Sequence, residues 1–249
     1  MLAIVSAMPE EIALVVEALA HAETRELGRR VFHAGTFHGV EAVAVFSRMG
    51  KVAAAATITQ LIASYPVSRL VFSGVAGGVR HGLAIGDIVV ASALIQHDLD
   101  ASPIFPRYEV PLLGQSRFAT DADIRERLLA AAREFLAQDL GACVAAGELG
   151  FFHVDSPKAE LGIVASGDKF FASAAEVGEL RRRLPETACV EMEGAAAAQV
   201  CAEYGIPFGV VRTISDSADE NSVHDFPRFA LGIARYYSAG ALERFARAL

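Results

Sequence analysis

Apolar positions in this chain fall into two patterns, short unbroken runs and longer stretches of helical period. Short apolar runs bounded by turn residues suit buried strands, and a 3.6-residue period suits amphipathic helices. Leu2–Ser6 therefore reads as a buried strand and Pro9–Ala20 as a helix. Pro9 fits the first helical position, where no amide hydrogen is needed. Val31–Phe37 and Glu41–Phe46 flank His38-Gly39-Val40, which predicts a hairpin. Lys51–Ala63 is Ala-rich and helical. Leu70–Ser73 predicts a strand running into the turn Gly74-Val75-Ala76-Gly77-Gly78, and Asp87–Ile95 predicts another. Asp121–Gln138 is a charged amphipathic helix. Leu161–Ser166, Ala188–Val190 and Pro207–Ile214 predict strands. Gly194–Tyr204 predicts a helix with a small-residue face, and Phe226–Ala248 a long terminal helix.

Strands interleaved with helices imply an α/β fold. The expectation is a single domain over residues 1–249, with a mixed, mostly parallel central sheet flanked by helices. The hairpin supplies antiparallel members. Asp98–Thr120 lacks period and contains Pro103, Pro106, Pro111 and Gly114. A loop of that length in a compact domain is usually functional or part of an interface.

Composition narrows the class. Hydrophobic residues make up 53% and charged residues 21%, which excludes a disordered chain. The formal net charge of −8 lacks the basic footprint that duplex binding needs, so no nucleic-acid partner is expected. The basic run Arg181-Arg182-Arg183 lies in a polar helical stretch and reads as a solvated face. Cys143, Cys189 and Cys201 are odd in number and unpatterned, as in reduced thiols. The apolar start has no basic region before it and meets Glu10 and Glu11, unlike a signal peptide. The longest uncharged stretch, Val52 to Ser68, contains Thr57, Thr59, Gln60, Ser64 and Pro66 and makes a poor membrane span. The expectation is a soluble, cytoplasmic protein with no membrane partner.

In open α/β sheets, ligands collect beyond the carboxyl ends of the strands. Three acids fall there by counting: Glu11 after the first strand, Glu193 after Ala188–Val190, and Asp216 after Pro207–Ile214. Each alone is more simply read as a capping or solvated acid. Together they suit cleavage of a C–N glycosidic bond, where one acid protonates the leaving base and another activates water. Negative charge then stabilises an oxocarbenium-like transition state. Glu191 is a rival to Glu193, because in an extended strand the two share a face and spacing does not choose between them.

Seven blocks occur in one order: Ala7-Met8-Pro9-Glu10-Glu11, Met49-Gly50-Lys51-Val52-Ala53-Ala54-Ala55, Ser73-Gly74-Val75-Ala76-Gly77-Gly78, Gly86-Asp87-Ile88-Val89-Val90, Ser166-Gly167-Asp168, Val190-Glu191-Met192-Glu193 and Arg212-Thr213-Ile214-Ser215-Asp216. Together they resemble the 5′-methylthioadenosine/S-adenosylhomocysteine nucleosidases of the nucleoside phosphorylase-like superfamily. The resemblance implies an N-ribosyl hydrolase that releases adenine from 5′-methylthioadenosine, S-adenosylhomocysteine or 5′-deoxyadenosine, without a cofactor. It implies Glu11 as the base that activates water and Asp216, beside Ser215, as the acid that protonates adenine N7. It favours Glu193 as ligand of the ribose diol, with Met192 against the sugar and Arg212 near the attacking water. Phe170 falls where an aromatic stacks on adenine, and Phe171 where backbone groups read the base edge. Met8, Met49 and Phe226 fall on the apolar wall around the 5′ substituent. Ala76 and Gly77 belong to the backbone-lined nucleoside pocket. A homodimer is also implied, with Phe105 and Pro106 as residues that could close the partner's pocket.

Other readings remain. A phosphorylase would need cationic or amide donors for its phosphate nucleophile. The arginine that follows the hairpin glycine in such relatives is replaced here by Val40 and Glu41 after Gly39, and Phe72 stands where another arginine would precede the Gly-rich turn. Arg48 precedes Met49-Gly50 and reads as a surface or salt-bridge residue. Val75 departs from the serine common in the family, and Gly147–Glu160 is longer than the usual connection. A non-catalytic nucleoside-binding module would keep the pocket and lose the chemistry, which the presence of both Glu11 and Asp216 opposes. No metal site is expected, since His97, Asp98 and Asp100 have no second cluster at ligand spacing. The Gly-rich turn does not complete a dinucleotide fingerprint, and no G-x-S-x-G elbow is present.

Overall fold

The structure is a computed structural model that describes residues 1–218 and 222–249, with the backbone alone for 222–225. Its elements are β1 (Leu2–Ser6), α1 (Pro9–Glu17), β2 (Leu19–Leu27), β3 (Arg30–Phe37), β4 (Val40–Phe46), α2 (Lys51–Ser64), β5 (Arg69–Gly78), β6 (Ile88–Gln96) and β7 (Phe118–Ala119). They continue with α3 (Ala122–Gln138), α4 (Leu140–Cys143), α5 (Ala146–Phe151), β8 (Ala159–Ser166), α6 (Ala174–Arg183), β9 (Thr187–Glu191), α7 (Gly194–Tyr204) and β10 (Phe208–Asp216). The chain ends with α8 (Ser222–Phe229), a π-helical turn (Ala230–Ala234) and α9 (Arg235–Arg247).

The sheet is mixed, as the interleaved pattern predicts. Strand β5 pairs in parallel with β1 and β10, and β8 in parallel with β6 and β9. Antiparallel pairs join β10 to β6 and β5 to β9. These pairings close a ring, β5–β10–β6–β8–β9, while β1–β4–β3–β2 extends from β5 as an open flap. Helices α1, α3 and α9 cover one face, burying Leu128, Phe135, Tyr237 and Phe245. Helices α2 and α7 cover the other, burying Ile58, Leu61 and Cys201. The small face of α7 lets it lie close: Ala195, Ala197 and Ala198 are fully buried.

Several boundaries differ from the sequence expectation, each for a physical reason. Helix α1 ends at Glu17 and the chain turns into β2, which the pattern did not predict. Strand β2 is an edge strand, exposed along most of its length, so Leu19–Leu27 carries no buried alternation to read. The stretch Gly74–Gly78 is not a turn but the continuation of β5, whose small residues let other side chains approach its backbone. The terminal helix starts earlier than Phe226, contains Pro227 and is interrupted by the π turn. Of the arginine run, Arg182 is solvated, whereas Arg181 donates to the carbonyl of Val79.

Candidate active site

The ends of β1, β5, β9 and β10 converge on one cleft of about 550 Å³ including its open mouth. Glu11 enters it from the first turn of α1, where Pro9 starts the helix immediately after β1. Its Oε2 accepts the backbone N–H of Ala7 and of Met8, both at 3.0 Å, and Oε1 accepts that of Val75 at 3.0 Å. Burial pushes the Glu11 carboxyl above its ordinary value, opposed by Arg212 and the three backbone donors. Gly74 makes room for this arrangement: a Cβ there would lie 2.8 Å from Glu11 Oε1 and collide with Nη1 of Arg212.

Glu191 and Glu193 have different surroundings. Glu191 ends β9 and accepts from Arg212 Nη2, from the Ser166 hydroxyl and from the backbone N–H of Glu193 at 3.1 Å. The Gly194 N–H also reaches both of its oxygens, at 3.0 and 2.8 Å. Both carboxylate oxygens are thus committed to the protein. Glu193 accepts one backbone bond, from Gly50 N at 2.8 Å, and its Oε2 lies 3.9 Å from Arg212 Nη2. Burial first, and the neighbouring Glu191 second, push the Glu193 carboxyl upward, against Arg212 and the Gly50 amide. The Gly50 amide is presented at the start of α2 by a backbone φ of +94°, which strongly favours glycine. Asp168 holds that helix start from the other side, accepting the N–H of Lys51 at 2.8 Å.

Arg212 lies fully buried behind these acids, not in the cleft wall. Burial works against its charge, but Glu191, Glu193 and Glu11 outweigh that penalty and raise its value. Its guanidinium sits 4.6 Å from the ring centroid of Phe72, the residue found where a phosphate-binding arginine would stand.

Asp216 closes β10 at the opposite side. Its Oδ1 accepts the N–H of Ala218 at 2.8 Å, and its Oδ2 accepts the Ser215 hydroxyl at 2.7 Å. The same hydroxyl has a second acceptor, the carbonyl of Ala76 at 3.4 Å. Gly77 is small for cause, since a Cβ would lie 2.8 Å from Cβ of Ala218 and 3.2 Å from Asp216 Oδ1. The remaining wall is mostly apolar. Phe170 is 42% exposed at the mouth and Phe171 is buried beneath it. Phe226 meets Phe170 edge-on with centroids 5.7 Å apart. Met8, Met49, Ala76 and Met192 complete the lining.

Every residue given a catalytic or substrate-binding role from the sequence lines this cleft except Arg212. Ala7, Lys169, Val190 and Ala218 line it without having been expected. Three of these are small or apolar and give no chemical signal, whereas Lys169 stands next to Phe170 in the chain. Val75, noted only as a departure, also lines it and supplies the amide bonded by Glu11. Arg48 is exposed, bonds the carbonyl of Arg29 at 2.7 Å and is not among the lining residues. Phe105 and Pro106 are likewise outside this chain's own lining. Among the described residues no cluster of three potential metal ligands exists. Asp98 is instead paired with Lys51 at 2.6 Å.

A sequence profile of the phosphorylase superfamily matches residues 1–247. A 5′-methylthioadenosine/S-adenosylhomocysteine nucleosidase from Chromohalobacter salexigens is 35% identical, covering 100% of this chain and 97% of the relative. The crystal structure of such a nucleosidase from Neisseria meningitidis, in complex with methylthio-immucillin-A, superposes with a TM-score of 0.87 at 31% identity, covering 100% and 99% of the two chains. The futalosine hydrolase of Helicobacter pylori superposes with a TM-score of 0.84 at 32% identity, covering 100% and 97%.

Proposed function

The chain belongs to the phosphorylase superfamily, and within it to the 5′-methylthioadenosine/S-adenosylhomocysteine nucleosidases, and from that premise we propose how its residues divide the work. The enzyme is an N-ribosyl hydrolase that cleaves the glycosidic bond of 5′-methylthioadenosine and S-adenosylhomocysteine, releasing adenine and the 5-substituted ribose. The observation that carries the residue assignment is the convergence of Glu11, Glu193 and Asp216 on one cleft beside Phe170.

Glu11 is the general base. Its raised carboxyl brings it nearer to neutral pH, where a base is most effective. Glu193 binds the ribose diol through Oε2, because a carboxylate accepts two hydroxyl bonds and Glu191 has no oxygen to spare. Asp216 donates a proton to the purine N7. Ser215 supports both of its states, turning its hydroxyl to Asp216 when the carboxyl is charged and to Ala76 when it is not. Arg212 is a positioning residue that holds Glu191 and balances the charge around Glu11 and Glu193. Three acids, Glu11, Glu191 and Glu193, surround one arginine with Asp216 across the cleft, and such an acidic surround favours a sugar that becomes cationic in the transition state. Phe170 stacks on the base, Phe171 frames its edge, and Met8, Met49 and Phe226 receive the 5′ group.

The experiment is adenine release from 5′-methylthioadenosine with and without inorganic phosphate. Equal rates and free methylthioribose are expected; a phosphate requirement with a ribose 1-phosphate product would overturn the choice of water as nucleophile. A homodimer is part of the proposal, supported by the exposed apolar side chains of Met49 at the cleft mouth, of Val52 on the same helix start, and of Ile104 and Leu112 in the 98–114 loop. A fully active monomer in light scattering would count against it. No described helix is long and apolar enough to cross a membrane.

A further inference from the structure

Helix α8 carries Phe226 to the cleft, yet its own backbone holds it weakly. Pro227 lies inside it, removing an amide donor and crowding the preceding turn. The π turn Ala230–Ala234 then breaks its continuity with α9. Side-chain contacts must therefore decide where α8 sits. Besides its packing on β10 and the contact of Phe226 with Phe170, the described side-chain contacts come from α5, in the extended segment between α3 and β8. Arg228 grips Glu148 with both arms of a fork, Nε to Oε2 and Nη2 to Oε1, each at 3.1 Å. Its guanidinium also lies 3.4 Å from the ring centroid of Phe151. Phe151 meets Phe152 edge-on at 4.9 Å, and Phe152 meets the fully buried Phe229 at 5.3 Å. The hydrogen bonds from Arg228 hold the Glu148 carboxyl below its ordinary value, so the pair stays charged at neutral pH.

We infer that Arg228, clamped between Glu148 and Phe151, is a positioning residue that sets Phe226 against the cleft and thereby sets affinity for the substrate's 5′ group. Most exposed ion pairs hold little, but a bidentate fork stacked on an aromatic ring fixes geometry as well as charge. Phe226 lies only two residues from Arg228, so a shift of the clamp moves the cleft wall directly. The inference rests on the nucleosidase reading and on Phe226 as part of the 5′ wall.

The test is steady-state kinetics with 5′-methylthioadenosine on Arg228→Ala, Glu148→Gln, Phe226→Ala and the Arg228→Ala/Phe226→Ala double variant. The single clamp variants should raise KM by about three- to tenfold, the range expected for an ion pair plus a cation–π contact, and change kcat by less than about twofold. In the Phe226→Ala background, Arg228→Ala should add nothing further to KM, because its effect passes through that ring. A charge-swapped pair, Glu148→Arg with Arg228→Glu, should recover part of the lost affinity. An unchanged KM in both clamp variants, or additive effects in the double variant, overturns the inference. Absence of turnover by the unsubstituted enzyme would instead overturn the nucleosidase reading.

Discussion

Glu11 accepts the backbone N–H of Val75 at 3.0 Å, so an acid on the first turn of α1 is fixed from β5, the strand paired with β1. That bond, with the two from Ala7 and Met8, aims the carboxylate while burial keeps it basic. Glu11→Gln should lower kcat by about a hundredfold or more, the usual contribution of a positioned base. Adenine binding, followed by calorimetry, should remain within a few-fold. Retained turnover would remove Glu11 from the mechanism.

Asp216→Asn keeps the size of the side chain but removes its capacity to give up a proton. Turnover should fall by about a hundredfold or more, with substrate affinity largely retained. Single-turnover adenine release is the measurement, and near wild-type release would refute the proton-donor role.

Glu191 and Glu193 should separate cleanly. Glu191→Gln breaks a buried pair with Arg212 and is expected to cost about 3–5 kcal/mol of stability, read by denaturant unfolding. Glu193→Gln should leave stability near that of the parent while raising KM and lowering kcat. The reverse pattern would transfer the diol to Glu191.

The raised carboxyls also bear on pH. Glu11 and Glu193 have folded-state values above the ordinary 4.5. Each therefore contributes stability that is complete below that value and is lost as pH rises through the folded one. Urea midpoints should fall on going from mildly acidic to alkaline buffer, and the fall should be shallower in Glu193→Gln. An unchanged fall in that variant would mean that Glu193 is ionised at no cost.

Gly74→Ala places one methyl where Glu11 Oε1 and the Arg212 guanidinium already sit. Overpacking of this kind costs about 1–3 kcal/mol, and displacement of the base should cut kcat/KM by about tenfold or more. Normal activity in that variant would show that the two side chains have slack.

Much of the fold was legible because buried strands and amphipathic helices leave periodic traces. β1 and α7 begin and end where the pattern places them, and the β3–β4 hairpin and α3 lie within a residue of it. The elements that escaped were those without such a trace. β2 is an exposed edge strand, and the π turn arises inside a stretch that reads as continuous helix. The ring closure of β5, β10, β6, β8 and β9 depends on pairings between distant strands, which no local window contains.

For the site, the chain alone determined which chemistry was on hand: three acids at strand ends, an aromatic pair and glycines that leave room beside them. That much follows from residue type and from the rule that sheet ends gather ligands. Only the folded arrangement decided which glutamate is free. Glu191 and Glu193 are two residues apart and chemically identical, but Arg212, Ser166 and Gly194 saturate one while Gly50 leaves the other an open oxygen. The same holds for Arg228 and Glu148, eighty residues apart, whose contact exists only because α5 and α8 fold against each other. Hydrogen-bond saturation and long-range contact are properties of three-dimensional neighbours, and a linear pattern does not contain them.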